Sequence, residues 1–82
     1  MTQCVPLSDL RPGESGVVTA LEMEGLMARR LLDLGLVEGS LVTCVGQSPW
    51  GDPAAYRICG AVIALRNADS AAVCVRREEA VS

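Results

Sequence analysis

The stretch LLDLGLVEG, residues 31–39, carries the clearest structural signal in this chain. It spans the end of the one segment with helical periodicity, residues 25–34, and Gly35 follows that segment directly. Glycine at this position closes a helix in the left-handed backbone region without a Cβ clash, and a following apolar residue such as Leu36 completes the cap. The stretch therefore predicts one short helix with a sharply defined end.

The predicted helix has two chemically different faces. At about 100° per residue, its apolar side chains fall on a single arc that should face the core. The members of this arc are Met27, Ala28, Leu31, Leu32 and Leu34. Arg29, Arg30 and Asp33 fall on the opposite arc, and Leu26 projects among them. Leu26 is therefore either a lone surface leucine, which is common in proteins, or a contact that the helix offers to a partner.

Five short β-segments flank the helix, one before it and four after it. Each combines β-branched or alternating apolar residues with turn formers at its ends. These segments are residues 16–23, 41–46, 54–59, 61–66 and 71–76. Because so small a body cannot leave the edges of five strands open, we expect a mainly β fold that closes into a partly open barrel. The helix, inserted after the first strand, should cover one mouth of this barrel.

The length and charge of the chain limit its organisation and its partners. Its 82 residues suffice for one domain, and we expect a core at about residues 7–76 and a flexible tail at 77–82. The net charge is −3 and the seven basic residues, all Arg, are dispersed, which argues against nucleic acid as a partner. With no leader-like start and no apolar run of about 20 residues, the sequence predicts a cytosolic protein that does not insert into membranes directly.

The sequence offers no grouping of side chains suited to catalysis. It contains no His, so its serines lack the usual activating base. Glu22 and Glu24 come at the end of a strand and not on a rigid element, and no phosphate-binding glycine motif occurs. We therefore expect neither an enzyme nor a cofactor site.

The four cysteines, Cys4, Cys44, Cys59 and Cys74, are widely spaced and form no CxxC pair. In a cytosolic protein we expect them to be reduced, with Cys44 acting as a small core residue. Strand alternation points Cys59 outward, and Cys74 is expected to share that orientation. Exposed thiols of this kind can take up a soft metal adventitiously or link two molecules weakly. A specific metal site is not expected, because ferrous iron prefers His and carboxylate ligands, and neither is clustered here.

Trp50 lies in the loop QSPWGDP, residues 47–53, which consists mainly of turn-forming residues. Two roles are open for this side chain. It either folds back over the barrel mouth and completes a thin core, or it stands out as a binding anchor on a rigid turn.

Four blocks of this sequence together resemble the FeoA family along nearly the whole chain. They are LSDLRPGESGVV, RRLLDLGLVEGS, SPWGDPAAYRICGAVIALR and AAVCV. Residues 31–39 are similar to the family's characteristic helix-ending turn, and the block that contains Trp50 follows in the right order and at the right spacing. The resemblance implies an SH3-like barrel, with no catalytic residues, that acts in bacterial ferrous iron uptake.

The resemblance also implies a partner, the GTPase-bearing membrane transporter FeoB. On this reading the chain is a cytosolic accessory that reaches the inner membrane through that partner, and the residues expected to make the contact are Leu26, Arg29, Arg30, Asp33 and Trp50. Two alternatives stay open. One is a generic SH3-like module for proline-rich or extended peptides, which would need a groove of exposed aromatic rings. The other is a transition-metal-binding module that uses the cysteines.

Overall fold

A computed structural model describes residues 4–78 and shows a single curved antiparallel sheet with two short helices. Its elements follow one another along the chain as β1 (Cys4–Pro6), β2 (Ser15–Leu21), α1 (Leu26–Asp33), β3 (Leu41–Gln47), β4 (Ala54–Ile58), β5 (Ala61–Leu65), α2 (Asn67–Ser70) and β6 (Val73–Glu78). A 3₁₀ turn, Leu7–Asp9, connects β1 to the loop before β2.

The strands are ordered β1-β6-β2-β3-β4-β5 across the sheet, and every neighbouring pair is antiparallel. Irregularities at Val18/Ala20 and Cys44/Gly46 shift the register between strands. Such bulges increase the local twist and allow a small sheet to curl. The result is the mainly β, SH3-like, partly open architecture that the sequence predicts, with β1 and β5 as its two edges.

The core is a thin aliphatic layer built around one aromatic ring. Tyr56 of β4 is completely buried, and its hydroxyl has no well-aligned hydrogen-bond partner among residues 4–78. The hydroxyl of nearby Ser70 donates instead to the carbonyl oxygen of Asn67. Burial raises the pKa of Tyr56 above its ordinary value, and Ser70 acts in the opposite direction. The buried hydrophobic residues around the ring are Leu7, Leu10, Val18, Leu31, Leu36, Val42, Cys44, Ala54, Ile58, Leu65, Val73 and Val75.

Helix α1 ends as the sequence predicts. Gly35 has φ +97°. The N–H of Leu36 donates to the carbonyl oxygen of Leu31 at 2.9 Å, and the N–H of Gly35 donates to the carbonyl oxygen of Leu32 at 3.0 Å. This pair of bonds is the Schellman arrangement. Leu36 is fully buried, so the cap also fastens the helix end to the core.

Both ends of the described chain are more ordered than the sequence predicts. The sheet has six strands, because the three residues Cys4–Pro6 pair with β6 at the edge. Arg77 and Glu78, which were expected in the flexible tail, belong to β6 and pair with Gly16 and Ser15. The side chain of Arg77 also bonds the carbonyl of Asp9 at 3.0 Å. The remainder of the predicted tail lies outside the described residues.

The apolar arc of α1 is narrower than predicted. Leu31 is buried and Met27 and Ala28 are half-buried, but Leu32 is 47% exposed and Leu34 is 39% exposed. The two exposed leucines lie at the margins of the arc. An eight-residue helix packed on one side against a small sheet buries only the middle of that arc, so the prediction that Leu32 and Leu34 face the core is wrong.

A candidate docking surface on helix α1 and the edge strand

The outer face of α1 presents one fully projecting leucine among charged residues. Leu26, the first residue of the helix, is 86% exposed. Arg29, Arg30 and Asp33 are also exposed and lie one and two turns further along the same side. Because the helix end is fastened by its cap, these side chains project from a fixed backbone.

Trp50 stands away from the core. Its side chain is 88% exposed, so of the two roles left open by the sequence, folding back over the barrel mouth is excluded. Hydrogen bonds nevertheless hold the loop that carries it. The N–H of Gly51 donates to the carbonyl oxygen of Ser48 at 2.8 Å, and the carboxylate of Asp52 accepts a hydrogen bond from the N–H of Asn67 at 2.9 Å. A large exposed ring on a hydrogen-bonded turn has the properties of an interface anchor.

An open groove of about 410 Å³ runs between α1 and β5. Met27, Leu31 and Leu34 form its helix side, and Ile63 and Leu65 contribute from the strand. Its polar rim is formed by Arg30, Arg66 and Asp69. The groove thus combines an apolar floor with a rim in which basic residues outnumber acidic ones.

The basic residues of this surface have no ion-pair partners in the described part of the chain. The ion pairs found between residues 4 and 78 join Arg76 to Glu78 and Arg77 to Glu14. Arg29, Arg30 and Arg66 take part in neither pair. Their charges are therefore available for acidic groups of another molecule.

The cysteines occupy different environments. Cys44 is buried, and this burial raises the pKa of its thiol. Cys4 and Cys59 are exposed, whereas Cys74, expected to point outward, is half-buried. Within residues 4–78 no three side chains of the Cys, Asp and Glu types come together in a group that could hold a metal ion.

Four of the five predicted site residues lie on one helix, and the fifth, Trp50, lies in a separate loop. Leu26, Arg29, Arg30 and Asp33 share α1, and Arg30 also lines the groove, but Trp50 does not. The groove residues Leu34, Ile63, Ala64 and Arg66 are not among the site residues that the sequence predicts. The apolar character of residues 61–65 was visible in the sequence, but nothing in it marked this strand as an edge beside the helix.

Neither α1 nor α2 in the described part of the chain has the length and apolarity needed to cross a membrane. The fold and this surface define a small SH3-like β-domain with an apolar and basic outer face. The profile of the FeoA domain matches residues 5–77, and the chain therefore belongs to the FeoA family. This confirms the family and the fold that the sequence resemblance implied.

Three relatives illustrate the comparison. A fusion of Fe(2+) transport protein A with the Fe(2+) transporter FeoB, from Porphyromonas gingivalis, is 36% identical over 67 residues, which cover 82% of this chain but only 8% of the fusion protein. A FeoA-like protein from Clostridium acetobutylicum has a TM-score of 0.87 and 26% identity, with 100% of this chain and 95% of that chain covered. The FeoA of Stenotrophomonas maltophilia, a prokaryotic SH3 domain protein complexed with zinc, has a TM-score of 0.77 and 32% identity, with 95% of both chains covered.

Proposed function

We propose that this chain is a non-enzymatic accessory of bacterial ferrous iron uptake that docks onto a FeoB-type GTPase transporter. The contact is made by the outer face of α1, with Leu26, Arg29, Arg30 and Asp33, and by Trp50. The chain works in the cytoplasm and reaches the inner membrane through this partner. Its effect on transport comes from the surface it presents and not from a reaction that it catalyses.

One observation carries the proposal: Leu26 is 86% exposed at the start of a helix whose other end is fastened to the core. A projecting leucine of this kind contributes almost nothing to folding, but it can fill a pocket on another protein. The fusion relative from Porphyromonas gingivalis, in which an FeoA part and FeoB share one polypeptide, supports the choice of partner. Covalent linkage raises the effective concentration of two domains that must meet.

The alternative of a proline-rich peptide groove has little support. Such grooves stack ligands on several exposed aromatic rings. Of the two aromatic residues here, Tyr56 is completely buried and only Trp50 is exposed. A single exposed ring favours an anchor contact over a groove of this type.

Uptake of radioactive Fe(II) by cells tests the proposal. Deleting the gene should lower transporter-dependent uptake, and the wild-type chain should restore it. Leu26→Gln, expressed at the same level, should restore much less. Leu41→Gln is the matched control, because Leu41 is also more than half exposed but lies on β3. Full restoration by Leu26→Gln, or unchanged uptake on deletion, would contradict the proposal.

A further inference from the structure

The outer edge of β5 is chemically unusual for an exposed strand. Its sequence, AVIAL at Ala61–Leu65, has no charge, no proline and no polar side chain. Natural edge strands are commonly protected by charges, prolines or bulges, because their free backbone groups pair readily with other chains. Here the register between β4 and β5 runs without a bulge along the whole strand, so the edge has none of these features.

The hairpin geometry identifies which backbone groups of β5 are free. Cys59 and Gly60 form a two-residue turn with φ +51° and +82°, typical of a type I′ hairpin. The residues that flank such a turn, Ile58 and Ala61, form a hydrogen-bonded pair, and bonded and non-bonded pairs then alternate. Val62 and Ala64 are therefore in non-bonded pairs, so their N–H and C=O groups point away from β4.

No other strand of the described chain lies beside this edge, because β5 is the last strand of the sheet. Beside it lies the groove under α1, with Met27, Leu34 and Ile63 along its floor. Its volume of about 410 Å³ falls within the range of about 300–1,000 Å³ that is usual for ligand pockets. An added strand would find backbone partners at Val62 and Ala64 and space for alternate side chains in the groove.

Resting on the proposed function, we propose that an extended segment of the transporter adds to β5 as a further antiparallel or parallel strand. This segment places alternate apolar side chains in the groove and acidic residues beside Arg30 and Arg66. Strand addition of this kind obtains affinity from main-chain hydrogen bonds and specificity from the pockets for alternate side chains.

The charges favour this occupant over a second copy of the chain. Both Arg30 and Arg66 line the groove and neither is ion-paired in the described residues. Pairing two β5 strands would bring together two uncharged segments, so the added strand itself would supply no acidic group to these arginines. A partner with acidic residues next to its apolar ones would neutralise them.

Hydrogen exchange of individual amides, measured on the full chain with and without the purified transporter in nanodiscs, tests the proposal. In the free chain, Val62 and Ala64 should exchange quickly, and Ile63 between them should exchange slowly because it bonds to β4. Binding of the transporter should slow Val62 and Ala64 and leave Ile63 unchanged. Slow exchange at both positions in the dilute free chain would overturn the proposal, because the edge would already be covered.

Two further outcomes separate this proposal from the proposed function. If the transporter binds while Val62 and Ala64 still exchange quickly, strand addition is wrong and docking stands. If the transporter does not bind at all, both fail. Slowing that depends on the concentration of the chain alone would make a second copy the occupant and would also overturn the proposal.

One substitution removes a single outward N–H. Ala64→Pro should preserve the pairing with β4, because proline is tolerated on an edge strand where its missing N–H faces outward. It should weaken transporter binding by about tenfold, whereas Ala64→Ser, which changes the same groove-lining side chain but keeps the N–H, should weaken it much less. Wild-type affinity in a folded Ala64→Pro chain would contradict the proposal. If that variant does not fold, the exchange pattern of the wild-type chain decides.

Discussion

The Sγ atom of Cys59 lies 3.7 Å from the carbonyl oxygen of Gly35. Cys59 is the first residue of the turn between β4 and β5, and Gly35 is the left-handed residue that closes α1. The same carbonyl oxygen also accepts a hydrogen bond from the Ser40 hydroxyl at 2.8 Å. These contacts fix the end of the helix against the tip of the hairpin, and so they set the position of α1 beside the edge strand.

This contact predicts that Gly35→Ala destabilises the fold for two separable reasons. Gly35 has φ +97°, which costs an L-residue about 1–2 kcal/mol, and an added Cβ would lie 2.6 Å from Cys59 Sγ. Denaturant unfolding of Gly35→Ala in the wild-type and Cys59→Gly backgrounds separates the two effects. The cost should be smaller in the Cys59→Gly background, because only the backbone strain remains. An equal cost in both backgrounds would mean that the thiol does not restrict Gly35.

Leu26→Gln and Leu31→Gln should differ in their effect on the stability of the fold. Because Leu26 projects into solvent and Leu31 is buried, the first substitution should change the free energy of unfolding by less than about 0.5 kcal/mol. The second should lower it by about 2 kcal/mol or more, since it buries an amide without a partner. Thermal unfolding measures both effects. Similar destabilisation by the two variants would show that the orientation of α1 is wrong.

Trp50→Ala should weaken transporter binding without loss of stability. With 88% of its surface exposed, the ring contributes little to the core. As an interface anchor it would contribute about 2 kcal/mol to binding. Calorimetric titration should therefore show weaker binding by Trp50→Ala and partial recovery by Trp50→Phe. Unchanged affinity in Trp50→Ala would exclude this residue from the interface.

Tyr56→Phe should not destabilise the protein at neutral pH. The buried hydroxyl makes no hydrogen bond of good geometry, so its removal should leave the free energy of unfolding unchanged or raise it by up to about 1 kcal/mol. Burial raises the pKa of Tyr56 above 10.0. Above that pH the unfolded chain loses the phenolic proton more readily than the folded chain, so the wild type loses stability as pH rises. Unfolding curves across alkaline pH should show a shallower decline for Tyr56→Phe, and a parallel decline would contradict this.

The thiols should react in an order set by exposure. In the native protein, an aromatic disulfide reagent should modify Cys4 and Cys59 quickly, because both are exposed. Cys44 should react only after unfolding, since burial both hides it and raises its pKa. Peptide mapping after short labelling identifies the modified residues. Early modification of Cys44 would mean that the core around Tyr56 opens readily.

The features that sequence alone predicted well depend on short-range chemistry. The helix end at Gly35 follows from local backbone sterics, and the burial of Tyr56 and Ile58 with exposure of Arg57 follows from strand alternation. Residues far apart in the chain decided the features that sequence missed. Cys4–Pro6 becomes a strand only because β6 is beside it.

The candidate site divides in the same way. The exposure of Leu26 could be predicted from its angular position on one helix. The partial exposure of Leu34, which lines the groove, depends on where α1 lies relative to β5. The groove could not be predicted, since it depends on β5 being the last strand of the sheet and on α1 lying beside it. The sequence left open whether Trp50 is buried, because a tryptophan in a loop can either cover the barrel mouth or project from the loop as a contact.

Equilibrium binding of the fluorescently labelled full chain to the transporter in nanodiscs tests the central claim most directly. The account predicts saturable binding by the wild-type chain, weaker binding by Leu26→Gln and unchanged binding by Leu41→Gln. Absence of binding by the wild-type chain, or equal affinities for all three chains, would contradict it.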